Sequence, residues 1–199
     1  MTTISMRKDQ VETFTADELR AGVGWIAPKT KVKKAFGFKI GGGTEKEVDL
    51  DLVTVAEDED FDPVRVCWYK NEDAFEDGNL TSDGDNTTGR GKGDDETHRA
   101  KLKKLPAYVT RLTFLVTAFK EGVSFQDIEG ADLNIYDNET GNKLFTIPVK
   151  LNSRANAIAV ATATRQADGS WSIRNLNEYG SISGTRDGLF DFVKQVNNR

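Results

Sequence analysis

Cysteine occurs once in this 199-residue chain, at Cys67, and histidine once, at His98. One thiol cannot close a disulfide within the chain, and neither residue has a partner at metal-ligand spacing. Sites rich in nitrogen and sulfur, of the zinc, copper or nickel kind, are therefore excluded. A chain with no internal disulfide fits a reducing compartment, and a cytoplasmic location is expected. The sequence holds no apolar run of about 18 residues, the length that marks a membrane-spanning helix. Its first residues, MTTISMRKDQVETF, lack an apolar stretch, so a secretory signal is not expected.

What is present suits one folded domain spanning 1–199. Hydrophobic residues make up 37%, with eleven Phe, three Trp and four Tyr, enough for a core of ordinary size. Apolar residues mostly recur with period two, in short β-branched or aromatic runs. These are AGVGWIA at 21–27, EVDLDLVTV at 47–55, PVRVCWYK at 63–70, YVTRLTFLVTAF at 108–119, ADLNIYD at 131–137 and KLFTIPV at 143–149. NAIAVATATR and SWSIRNL flank the turn QADGS, and NETGN joins the two preceding runs, so two hairpins are predicted. The pattern indicates an all-β fold, a two-sheet sandwich. One short helix is expected at the C-terminal end, in TRDGLFDFVKQV, where Leu189, Val193 and Val196 share a face.

Charge is unevenly distributed. From Glu45 to Glu96 there are eighteen acids and five bases, a balance of −13, and the rest carries fourteen acids and twenty-two bases, a balance of +8. These sum to the net charge of −5. An acidic pole of this kind attracts cations and repels nucleic acid and phosphates.

Within the pole lies GDNTTGRGKGDDE, residues 84–96. Gly84 and Gly89 have the separation of a P-loop, but Arg90 and Gly91 stand where Lys and Ser/Thr are needed, and three carboxylates follow. A triphosphate would be repelled. The residues suit calcium better, a hard cation taking six to eight oxygen ligands at roughly 2.3–2.6 Å. Asp85 and Asn86 offer oxygens at one end, and Asp94, Asp95 and Glu96 at the other. Gly89, Gly91 and Gly93 between them allow carbonyls to turn inward. The spacing is not that of an EF-hand. From this segment alone a solvated acidic hairpin is the competing reading. A second element adds weight: VDLDL at 48–52 sets Asp49 and Asp51 on one strand face, with Val48, Leu50 and Leu52 on the other. A cation between this pair and the glycine loop would relieve the repulsion of two adjacent carboxylates.

Together these elements resemble the bacterial tellurium-resistance family known as TerD, also linked with stress response. GDNTTGRGKGDDE fits the family's Gly-Asp-Asn-x-Thr-Gly-x-Gly-x-Gly-Asp-Asp-Glu at every fixed position. GVGW at 22–25 and DLD at 49–51 match its upstream strands, and the resemblance covers about residues 20–184. It implies a calcium-binding β-sandwich holding two ions. Carried over, the ligands are the side chains of Asp49, Asp51, Asp85, Asn86, Asp94, Asp95 and Glu96, with the carbonyls of Gly89, Gly91 and Gly93. Three departures stand out: Leu52-Val53 where small residues are usual, a longer lysine-rich connector, and His98 where an apolar residue is common.

Enzymatic activity is not expected. GSISG at 180–184 has Ile182 where a nucleophile elbow needs serine. The lone His98, read as a partly exposed strand residue, has no second histidine or nucleophile beside it. The expected role is a binding or interaction module, with another protein or a small anionic ligand recruited at the metal site. The alternative is a nucleic-acid or membrane-surface module using the basic segment 29–40, KTKVKKAFGFKI, with calcium purely structural. Alternating lysines on an edge strand equally guard against edge-to-edge pairing, and nucleic acid is not the expected partner.

Overall fold

Alternating apolar residues can bury one sheet face only against a second layer, and this chain builds two six-stranded sheets to do so. A computed structural model of the chain describes residues 2–26, 34–35, 38–39, 49–84, 93–118, 125, 128–149 and 155–198. The first sheet runs, edge to edge, β1 (Ile4–Ser5), β12 (Lys143–Pro148), β11 (Gly130–Asp137), β3 (Leu19–Ile26), β9 (Glu96–Ala100) and β8 (Leu80–Ser82). The second runs β2 (Val11–Phe14), β14 (Trp171–Gly180), β13 (Ala157–Arg165), β10 (Arg111–Thr117), β6 (Asp51–Glu57) and β7 (Pro63–Cys67). Neighbours pair antiparallel except β1, which lies parallel to β12. Both expected hairpins are present, β11–β12 across Gly141 (φ +71°) and β13–β14 across Gly169 (φ +83°).

The inner faces pack into one core. Leu19, Ala21, Val23 and Trp25 of β3, with Leu133 and Ile135 of β11, meet Leu52, Leu112, Phe114, Val116 and Ile173 from the opposing sheet. The outer face of the second sheet is covered too. Helix α1 (Arg186–Asn197) begins at Thr185, whose side chain accepts the Gly188 N–H. It buries Leu189, Phe192, Val193 and Val196 against Val53, Val55, Leu115, Ala157 and Ala159. The expected face of Leu189, Val193 and Val196 is thus the docking face, with Phe192 added to it.

Some expected boundaries move. The run at 63–70 stops as strand at Cys67, because Trp68 and Asn71 exchange backbone hydrogen bonds and turn the chain. The run at 108–119 narrows to Arg111–Thr117, since the Val109 N–H bonds the Pro106 carbonyl in a turn. The basic segment 29–40 is not one edge strand: β4 (Lys34–Ala35) and β5 (Phe38–Lys39) pair with each other, and its other residues lie outside the described residues. No helix among the described residues is long and apolar enough to cross a membrane.

Candidate metal centre

The site begins with the glycines of β3. Alternation sends Ala21, Val23 and Trp25 inward, so Gly22 and Gly24 face out and leave the strand's outer surface bare. The C-terminal end of the acidic loop lies across them. The Asp95 N–H donates to the Val23 carbonyl at 2.7 Å, and the Trp25 N–H donates to Asp95 Oδ2 at 3.0 Å. A Cβ added at Gly24 would stand 2.8 Å from the Gly93 carbonyl oxygen, and one at Gly22 would fall on the Asp94 carboxylate. Only glycine on β3 lets the loop approach this closely. Gly93, at φ +105°, makes the turn that brings it there.

The three consecutive carboxylates then part company. Asp94 stays on the outer face, where Asn134 Nδ2 donates to its Oδ1 at 2.6 Å. Asn134 Oδ1 in turn accepts from Lys143 Nζ at 3.1 Å and Thr146 Oγ1 at 3.0 Å. Tyr136, with the Arg20 guanidinium 4.0 Å from its ring centroid, also hydrogen-bonds Asp94. Burial and the Asp94 carboxylate push the Tyr136 phenol above its ordinary range. Asp95 rests on β3, its carboxyl raised from the usual value by burial first and by the neighbouring Asp94 charge, against the Trp25 hydrogen bond.

Glu96 turns inward and crosses to the other sheet. It is the first residue of β9, 5% exposed, and the Leu52 N–H of β6 donates to its Oε2 at 2.6 Å. β7 reaches only Cys67, opposite Thr54, so the glutamate takes an N–H of β6 beyond the end of that ladder. Asp51 stands one residue before Leu52, 8% exposed, and its Oδ2 accepts from Thr117 Oγ1 at 3.4 Å. The last residue of the glycine loop thus reaches the backbone of β6 across the sandwich, one residue after the second aspartate of DLD, and half-buried Asp49 lies two residues before that aspartate. Every one of these donors is oxygen, the set that a hard cation takes. Asp51 and Glu96 are both nearly buried, and a buried carboxylate favours a positive partner or hydrogen-bond donors in place of the water it has lost.

Asp85, Asn86, Gly89 and Gly91 lie outside the described residues. Among the described residues no three His, Cys, Asp or Glu side chains converge as a metal cluster. Asp95 is held on β3, Glu96 on the backbone of β6 and Asp51 beside Thr117, while Asp94 is engaged with Asn134 and Tyr136.

His98 departs from expectation. It lies on β9 as a strand residue, but at 2% exposure it is buried, since Glu96, His98 and Ala100 all face inward. Its Nδ1 is 2.9 Å from Thr54 Oγ1, and burial pushes its pKa down to about 3, so the ring is neutral. The sequence reading also missed Asn134 and Tyr136 as supports of Asp94. Their alternation with inward Leu133 and Ile135 sets both on the outer face, but nothing local links them to residue 94.

Comparison with known proteins agrees with the family resemblance and the fold. Residues 2–195 match the TerD domain. The chain is 31% identical to tellurium resistance protein TerZ of Serratia marcescens, over 85% of this chain and 82% of that protein. It is 24% identical to general stress protein 16U of Bacillus subtilis, over 85% and 86% of the two chains. The crystal structure of a homologue of telluride resistance protein (TerD) from Streptomyces coelicolor superposes with a TM-score of 0.66 at 18% identity, covering 87% of this chain and 98% of that one.

Proposed function

The chain belongs to the TerD domain family, among tellurium-resistance and stress-response proteins, and from that premise we propose that it is a calcium-binding module. Its work is binding, not catalysis, and its setting the cytoplasm. The observation that carries the reading is the closure of Glu96 onto the N–H of Leu52, beside Asp51. It joins the end of the glycine loop to the Asp-x-Asp strand across the two sheets, and so supports one oxygen-rich centre built from distant segments. Asp49, Asp51, Asp95 and Glu96 are the side-chain donors on the described side. Asp85, Asn86 and the carbonyls of Gly89, Gly91 and Gly93 complete a set large enough for two ions. Asp94, which accepts the Asn134 hydrogen bond, anchors the end of the loop on the outer face of the first sheet.

Calcium bound to the folded chain and not to the unfolded one stabilises it by about 2.7 kcal/mol when free calcium is 100-fold above Kd. For a domain of this size that is roughly 5–10 °C in Tm. Magnesium, which demands a rigid octahedral shell, gives a much smaller rise. Thermal melts with calcium, magnesium and chelator test this. Asp51→Asn and Glu96→Gln should each remove most of the calcium-dependent rise, and the pair Asp85→Ala and Asp94→Ala all of it. Identical melting in all three conditions would refute the reading. An ion with an open coordination position would also give a small anionic ligand or a partner protein a place to bind.

A further inference from the structure

On the second sheet, β7 and the turn that follows it meet the start of α1 around a cavity of about 450 Å³, whose lining includes neither aspartate of DLD. Its lining includes Arg65, Lys70 and Arg186, with Trp68, Asn71 and a single acid, Glu76. We propose that this cleft binds a small organic phosphate ester, its phosphate held by the three cations. This site is independent of the calcium reading.

The acidic pole as a whole repels phosphates, so a phosphate site within it needs a local excess of bases, and this lining has one: three cations against Glu76. Glu45 to Glu96 holds only five bases among eighteen acids, and two of those five, Arg65 and Lys70, line this one cavity. Arg186 joins them from α1, a part of the chain more than a hundred residues later. Bases scattered at random over an acidic stretch would pair with its carboxylates. Instead, none of these three is ion-paired with a carboxylate among the described residues.

Each cation is held by contacts that orient it without cancelling its charge. Arg65 Nη1 donates to the Val64 carbonyl at 2.9 Å, and Lys70 Nζ donates to the Gly184 carbonyl at 3.2 Å. Lys70 Nζ also stands 5.0 Å from the Trp68 ring centroid and 5.1 Å from that of Tyr69. The Arg186 guanidinium lies 4.8 Å from the Phe190 ring centroid. Two guanidinium forks and an ammonium suit the several oxygens of a phosphate group, which a carboxylate would engage less fully. Val66, Trp68 and Ala74 give the same cavity an apolar wall for the organic part of the ligand. Its volume lies within the range of small-molecule sites, about 300–1,000 Å³.

The probes are inorganic phosphate and phenyl phosphate, titrated into the full chain at low ionic strength, with and without calcium, and followed by amide chemical shifts. The site predicts saturable shifts confined to Trp68, Lys70, Asn71, Ala74 and Arg186. Phenyl phosphate should bind more tightly than phosphate, because of the apolar wall. The exposed pair Arg65→Gln and Arg186→Gln should weaken phenyl phosphate about tenfold or more, while Arg7→Gln with Lys104→Gln leaves it unchanged. Shifts spread without saturation over surface lysines would overturn the proposal, as would unaltered affinity in the Arg65/Arg186 variant. A strict need for calcium would do so as well, by assigning the phosphate to the metal ion.

Discussion

Glu57 has no exposed surface, and it ends the same strand that Asp51 begins. Thr113 Oγ1 donates to Oε1, Asn197 Nδ2 donates to Oε2 at 2.5 Å, and Arg111 Nη1 is 4.0 Å from Oε2. Burial outweighs these partners and, aided by Asp58, raises the pKa to about 6. Because the folded value exceeds the unfolded one, the carboxyl contributes stability below about pH 4.5 and loses it as pH rises through about 6. Relative to Glu57→Gln, the native chain should therefore lose on the order of 2 kcal/mol between those limits and neutrality. Denaturant melts of both proteins across that range would show a constant difference if Glu57 did not titrate this way. Gly22 tests the loop seat. Gly22→Ala puts a methyl where the Asp94 carboxylate lies, and overpacking of this kind costs about 1–3 kcal/mol. It should weaken calcium binding as well, whereas the same change at the open Gly130 should leave binding untouched. The acids at 49 and 51 were legible as an alternating pair on a strand, although only Asp51 falls within β6. The seat at Gly22 and Gly24 was visible only as part of a motif, because its reason is the approach of a segment seventy residues away.

At the scale of elements, α1 explains what strand alternation could not. Asp51 was expected to face away from the buried side, yet every residue of β6 is buried. The helix closes the outer face of that sheet with Leu189, Phe192, Val193 and Val196, so both faces of β6 are interior. Phe192→Ala should cost about 3–5 kcal/mol, and Thr185→Ala, which strips the N-cap, about 1 kcal/mol. Equilibrium unfolding separates the two, and equal losses would contradict the assigned roles. The helix itself was readable from its apolar spacing, with ends within a residue or so of those found. Strands β1, β2 and β8 were not, since runs of two to four residues carry no period and form only because a long neighbour offers a ladder. β9 was hidden for another reason: its inward face is Glu96, His98 and Ala100, and two polar residues of three read as surface in sequence.

The whole molecule is a sandwich whose acidic segment supplies strands to both sheets, β6 and β7 to one and β8 to the other, with Glu96 bridging them. A cation at that bridge would offset the −13 balance of residues 45–96 and tie the sheets at one end. Stability should then depend on calcium more than on general ionic strength, because screening by salt weakens exposed charges and leaves buried ones little changed. Calorimetric titration of chelator-treated protein with calcium decides whether the loop and the Asp-x-Asp strand bind the ion. Saturable calcium binding is expected, near two ions per chain and micromolar or tighter, lost in Asp51→Asn and Glu96→Gln. Absent heat, or a millimolar affinity indifferent to those substitutions, would contradict it.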